Sequence, residues 1–140
     1  MTFSSQEALI HLMVVAATSD AAVSERELEI IGSLVTTLPV FDGFDPEQLS
    51  AVADEALDLI KDSSDLDKVL DMILNAIPAR LRDTAYALAV EVAAVDVRLS
   101  QEELRLLEMI RDKLNLDGLV AAAIEASAKA RLRRAEAPAQ

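Results

Sequence analysis

The sequence predicts an all-α fold in which about seven helices form a single bundle. Apolar residues recur at the spacing of helices, and strand-like alternation bounded by turns does not occur. The connections between the helical stretches are short, and none is long enough to act as a linker. A chain of 140 residues can bury a core without disulfides. We therefore expect one domain over residues 1–134, followed by a short C-terminal tail over residues 135–140.

The first two helices are predicted on either side of a turn that ends at Ser24. The first helix covers about residues 5–18. The second follows Ser24 and stops at Pro39, because proline cannot continue a helix. Its apolar stripe consists of Leu28, Ile31, Val35 and Leu38.

The third and fourth helices follow a loop over residues 39–44, which contains Gly43. Residues 45–48 read Asp-Pro-Glu-Gln, which is typical of a helix start with an N-cap and a proline at the first helical position. The third helix carries Leu49, Val52, Ala53, Ala56, Leu57 and Ile60, and the polar residues 63–65 end it. The fourth carries Leu66, Val69, Leu70, Ile73 and Ile77, and it ends before Pro78.

The last three helices are predicted over residues 79–95, over residues 101–114 and after Asp117. The seventh carries Leu119, Val120, Ala123 and Ile124. It leads into a basic tail that contains four basic residues and one acidic residue, Glu136. The basic residues are Lys129, Arg131, Arg133 and Arg134. One interpretation of these positive charges is that they stabilise the C-terminal end of the helix. The alternative is a tail that docks on an acidic partner or an anionic membrane surface.

The charge of the chain restricts its partners. Twenty-five acidic residues against 13 basic ones give a net charge of −12. Phosphate would repel such a chain, so we expect no nucleic-acid partner, whereas divalent cations and basic protein surfaces are favoured. The longest uncharged runs, residues 8–19 and 30–41, are shorter than the roughly 20 residues that a membrane span needs. The N-terminus lacks the basic segment of a signal peptide, and the chain contains no cysteine, so we expect a cytoplasmic protein.

A repeat appears when the chain is shifted by 76 residues against itself. Residues 20–27 and residues 96–103 share the pattern Asp-x-x-x-Ser-x-x-Glu, each between two apolar helices. In each copy the Ser side chain can cap the second helix. The Glu three positions later can accept a hydrogen bond from the backbone N–H of that Ser, which completes a capping box. The apolar residue before each Ser can also pack against the apolar residue that follows the Glu. Helix capping therefore explains the Ser, the Glu and these apolar residues without any binding or catalytic role. The residues concerned are Ser24, Glu27, Val23 and Leu28 in the first copy, and Ser100, Glu103, Leu99 and Leu104 in the second.

Asp20 and Asp96 are not explained by helix capping. Each lies near the C-terminal end of a helix, where the macrodipole disfavours a carboxylate. Such an Asp can shape the turn through its side chain, or it can bind a cation. One copy supplies too few oxygens for a calcium site, whereas two facing copies would supply the four carboxylates of Asp20, Glu27, Asp96 and Glu103. The loop spacing is not that of an EF-hand.

These residues resemble the tellurite-resistance TerB-like family, whose pattern is Ala-x-x-x-Asp-Gly-x-φ-Ser-x-x-Glu, with φ apolar. Residues 17–27 read ATSDAAVSERE and residues 94–103 read AVDVRLSQEE, and the similarity covers most of residues 7–116. The resemblance implies a bundle of mostly seven helices with two hairpins related by a pseudo-twofold axis and a strongly acidic face. Both copies replace the glycine after Asp, by Ala21 and Val97. A β-branched residue such as Val97 avoids the left-handed backbone region that glycine permits. Either these turns therefore take a different shape, or Asp96 is displaced from a ligand position.

The resemblance also implies a function. Members are cytoplasmic, non-enzymatic modules linked to tellurite and general stress resistance and to complexes at the inner face of the membrane. The family's acidic motif residues predict a site for Ca²⁺, Mg²⁺ or Mn²⁺ at Asp20, Glu27, Asp96 and Glu103. The alternative is an interaction module without metal, whose acidic face docks a basic protein partner. His11 is the only histidine and no catalytic motif is present, so we expect neither an enzyme nor an organic cofactor.

Overall fold

A computed structural model describes residues 3–17, 23–63, 65–94 and 101–136. These ranges contain seven α-helices and no strand, so the predicted all-α bundle of seven helices is confirmed. The pseudo-twofold relation between hairpins stays a prediction. The helices are α1 (Ser5–Ala17), α2 (Glu25–Thr37), α3 (Leu49–Asp62), α4 (Leu66–Asn75), α5 (Arg82–Ala93), α6 (Gln101–Leu114) and α7 (Gly118–Arg131).

Helix α1 is the centre of the bundle. Every residue from Ala8 to Ala17 is buried, because the helix is apolar on all sides rather than along one stripe. Helices α3 and α5 make the largest contacts with α1, and α4 packs against it as well. Of the other helices, α2 and α6 are amphipathic and make smaller contacts with α1, whereas α7 packs against α5.

Two of the predicted helix starts are 3-10 turns. Residues Pro46–Gln48 precede α3 and residues Ala79–Leu81 precede α5. In the first, the Asp45 side chain accepts a hydrogen bond from the Glu47 backbone at 3.0 Å, as expected of an N-cap before proline. The tighter turn satisfies backbone groups that an α-helix would leave open at its start.

Helix α6 ends at Leu114 and is followed by Asn115, which has a φ of 53°. The Asn115 N–H donates to the Asp112 carbonyl and the Leu116 N–H to the Arg111 carbonyl. Asparagine is the residue other than glycine that best tolerates this left-handed conformation at a helix C-terminus. Because this turn ends α6 tightly, α7 begins after only three residues.

Side-chain ion pairs and hydrogen bonds attach the last two helices. Lys113 of α6 contacts Asp67 at 2.8 Å and Asp71 at 2.7 Å on α4, and both carboxylates raise the pKa of Lys113. Arg131 of α7 forms a bidentate pair with Glu91 of α5, with N–O distances of 2.7 and 2.6 Å. These pairs are exposed, so we expect each to contribute at most about 1 kcal/mol to stability.

Helix α7 buries only a narrow stripe. Ala121 and Ala128 are buried and Ile124 is partly covered, whereas Leu119 is 79% exposed and Val120 is exposed as well. The apolar residues predicted on this helix therefore do not share one covered face. Within the described residues, no helix is long and apolar enough to cross a membrane.

Candidate acidic and metal-binding sites

The first repeated turn contains the predicted capping box. Ser24 is extended, with φ −70° and ψ 159°, and its Oγ accepts a hydrogen bond from the Glu27 backbone at 3.2 Å. In return the Ser24 N–H donates to Glu27 Oε1 at 3.1 Å, and the Ser24 hydroxyl donates to the same oxygen at 2.6 Å. The structural interpretation of Ser24 and Glu27 is therefore confirmed.

The capping box uses one of the two oxygens of the Glu27 carboxylate. Glu27 is only 9% exposed, and its Oε1 accepts both donors of Ser24. The box does not use Oε2. A role in helix capping and a role as a metal ligand thus do not exclude each other at this residue.

The other predicted ligands are placed only in part. Glu103 lies in the first turn of α6 and is partly buried. Asp20, Asp96 and Ser100 lie outside the described residues, as do Ala21 and Val97, which replace the family glycine. In the ranges that the structure describes, no three His, Cys, Asp or Glu side chains are grouped so that they could hold a metal. The cation site at Asp20, Glu27, Asp96 and Glu103 stays a prediction.

Leu28 and Leu104, which follow the two Glu residues, are half-exposed at 44% and 43%. Val23 is partly buried and packs against the core. Leu99 lies outside the described residues. The packing of the residue before the cap on the next turn also stays a prediction.

A second acidic feature runs along α3. Asp54, Asp58 and Asp62 are four residues apart, so they lie on one face of the helix, and all three are exposed. We call this set the α3 acidic row. No partner within the described residues forms an ion pair with it, whereas Asp67 and Asp71 on α4 share Lys113. The sequence showed the excess charge of this region, and the four-residue spacing was the signal that would have located the row.

His11, the single histidine of the chain, lies in the core on α1. It is fully buried, and neither ring nitrogen has a hydrogen bond of normal geometry with a described residue. Its Nε2 lies 3.7 Å from Oε1 of Glu55, and the Phe3 ring meets it edge-on with centroids 4.5 Å apart. Burial lowers the pKa of His11, while the charges of Glu55 and Glu7 and the Val52 backbone act in the opposite direction.

Tyr86 links three helices through a polar contact at the edge of the core. Its hydroxyl donates a hydrogen bond to Glu125 Oε2 at 2.6 Å, which joins α5 to α7. Arg111 of α6 lies 3.7 Å from the same oxygen. Burial raises the pKa of Tyr86, and the hydrogen bond to Glu125 raises it further. The arrangement fixes the position of α7.

Fold and charge define a class of protein: a small acidic domain of seven helices, of which α1 is buried at the centre. The family model of tellurite resistance protein TerB matches residues 6–126, which is most of the chain. The chain therefore belongs to the TerB family, and the resemblance seen in the two turns is confirmed. No curated protein and no solved structure gives a significant match to it.

Proposed function

We propose that this TerB-family domain is a non-catalytic binding module of the stress response in the cytoplasm, and that its acidic surface binds a basic protein partner. The α3 acidic row carries the proposal. Its three carboxylates are exposed on one helix face, and none of them forms an ion pair with a cation among the described residues. Uncompensated charges of one sign steer an oppositely charged partner and raise its association rate.

The test is binding of an oligo-lysine peptide to the intact domain and to the triple variant Asp54→Asn/Asp58→Asn/Asp62→Asn. Exposed ion pairs contribute about 0.5 kcal/mol each, so losing three should weaken binding by about 1.5 kcal/mol, or roughly tenfold. Calorimetric titration at low ionic strength measures this change. Added salt should reduce the difference, because it screens exposed charges.

The matched control is Glu29→Gln/Glu102→Gln/Glu108→Gln, which removes three exposed carboxylates from α2 and α6. It changes the net charge by the same amount. We expect less than about a threefold loss of affinity in this control, since only the general field changes. Equal losses in the two triple variants would mean that diffuse charge binds the peptide, and the α3 acidic row would then not be a docking surface.

A second candidate function is divalent-cation binding by the two turns. The observation in its favour is that the capping box uses only Oε1 of Glu27. Asp20, Glu27, Asp96 and Glu103 would supply hard oxygen ligands of the kind that Ca²⁺, Mg²⁺ and Mn²⁺ prefer. A cation held there would stabilise both hairpin turns at once, because binding to the folded state alone shifts the folding equilibrium.

Thermal melting in EDTA and then in Ca²⁺, Mg²⁺, Mn²⁺ or Zn²⁺ at equal ionic strength tests the cation site. Specific binding should stabilise the fold by about 2.7 kcal/mol at a hundredfold excess over Kd. Asp20→Asn/Asp96→Asn should abolish the shift, and Asp54→Asn/Asp58→Asn, with the same loss of charge, should keep it. Similar small shifts for every ion, or a shift that survives Asp20→Asn/Asp96→Asn, would contradict this candidate.

A further inference from the structure

The outer face of α7 carries no charged residue through most of its length. Leu119, Ala123, Ala126 and Ala130 follow one another at intervals of four, three and four residues. They lie on the side of the helix opposite the buried Ala121 and Ala128, and all four are exposed. A solvent-facing helix surface ordinarily carries charged or polar residues, so this face lacks the composition of a free surface.

A groove beside this face extends the apolar surface. It lies between α5 and α7 and has a volume of about 230 Å³. The lining residues are Ala87, Ala123, Ile124, Ser127, Ala128 and Arg131. Small side chains allow another helix to approach α7 closely, and the Arg131–Glu91 ion pair lies at the groove's end.

Charge along α7 indicates what kind of partner fits. Asp117 precedes the first turn, while Lys129, Arg133 and Arg134 are at the other end, and all four are exposed. A helix of 14 residues is about 21 Å long, so the two ends are well separated. A surface that is acidic at one end and basic at the other complements a copy of itself turned by 180°.

We propose that the outer face of α7 pairs antiparallel with α7 of a second copy of this chain. In the register that places Leu119 opposite Ala130, Ala123 lies opposite Ala126, and the large side chain meets a small one. The same register brings Asp117 of one copy near Arg133 of the other, twice by symmetry. The helix macrodipoles are then antiparallel, which also favours the contact. Such a self-complementary surface is what a twofold dimer requires.

A single helix pair is smaller than the roughly 800 Å² per partner of a standard interface, so the dimer should be weak. Sedimentation equilibrium from about 10 µM to about 1 mM covers the corresponding range of dissociation constants. We expect the mass to rise from the 15.1 kDa of one chain toward twice that value. A mass that stays at one chain over the whole range would overturn the proposal.

Two variants separate this contact from non-specific association. Ala126→Glu places a charge in the middle of the pair and should keep the chain monomeric. Met72→Glu alters a half-exposed apolar residue on α4, adds the same charge and should still dimerise. If Ala126→Glu and Met72→Glu associate equally, the outer face of α7 is not the interface.

A charge exchange tests the antiparallel register. Arg133→Glu should weaken dimerisation, and the double variant Asp117→Arg/Arg133→Glu should restore it, since each copy then carries the reversed pair. The Asp117 side chain makes no capping hydrogen bond, so its replacement spares the helix start. Circular dichroism of each variant confirms that the fold is retained. Failure of the double variant to recover affinity would exclude the antiparallel pairing.

Discussion

Replacing Leu12 with Ala is expected to lower the free energy of unfolding by about 2–5 kcal/mol, because the substitution leaves a cavity in the centre of the bundle. Leu12 is fully buried on α1, which α3, α4 and α5 enclose. Domains of this kind are stable by about 5–15 kcal/mol in total, so the loss would be a large fraction of the stability. Urea unfolding followed by circular dichroism measures it.

The matched control for this prediction is Leu28→Ala on α2. Leu28 is half-exposed, so the same chemical change removes fewer contacts and should cost less than about 1 kcal/mol. The contrast checks that α1 is the centre of the core rather than one of several equivalent helices. Similar losses at Leu12 and Leu28 would contradict the central position of α1.

Stability should fall as the pH is lowered below about 6.5, because unfolding then takes up a proton on His11. Burial holds the pKa of His11 below its usual value, so the imidazole stays neutral in the folded chain while it protonates in the unfolded chain. The stabilising contribution is therefore complete above the unfolded pKa of about 6.5 and is lost toward the folded pKa. One extra proton bound by the unfolded chain corresponds to about 1.4 kcal/mol per pH unit.

Other titrating groups must be separated from this effect. Glu55 and Glu7 face His11, and their charges favour its protonated form, which limits the loss. Hydrogen bonds from Ser4 lower the pKa of Glu7, so stability supported by that carboxylate is lost only below its ordinary pKa of 4.5. Relief of repulsion among the many carboxylates acts in the opposite sense, but it affects wild type and a His11 variant alike.

The variant that isolates the histidine is His11→Phe, which keeps an aromatic ring against Phe3. It should remove the decline that begins below pH 6.5, and it should raise stability in that acidic range, since two buried nitrogens without a hydrogen bond disappear. Denaturant unfolding at a series of pH values gives the slope. An unchanged slope in His11→Phe would show that His11 is not the proton acceptor.

The positions of the helices follow from local chemistry, and they were predictable for that reason. Ser24 with Glu27 starts α2 as expected, and α6 has the predicted bounds, because helix starts and stops depend on neighbours along the chain. The 3-10 turns before α3 and α5 were not predicted, since a few residues favour both helix types at a start.

Burial depends on tertiary neighbours, so the sequence predicted it less well. The apolar run of α1 indicates a buried helix, but nothing near His11 in the chain indicates that its ring nitrogens remain unpaired under α3. Likewise, Leu119 and Ile124 look equivalent in the sequence, yet only Ile124 packs against the core. The ligand set of the two turns remains a prediction, because Asp20 and Asp96 lie outside the described residues.

The contact between Tyr86 and Glu125 gives the molecule a built-in optical signal. Tyr86 is the chain's single tyrosine, and the chain has no tryptophan, so near-ultraviolet absorption reports mainly on this one phenol. With its hydroxyl buried and bonded to a carboxylate of α7, the ring resists ionisation at an alkalinity that would deprotonate a free tyrosine. We therefore expect the tyrosinate absorption band to appear when α7 separates from α5. No added label is needed to follow this separation.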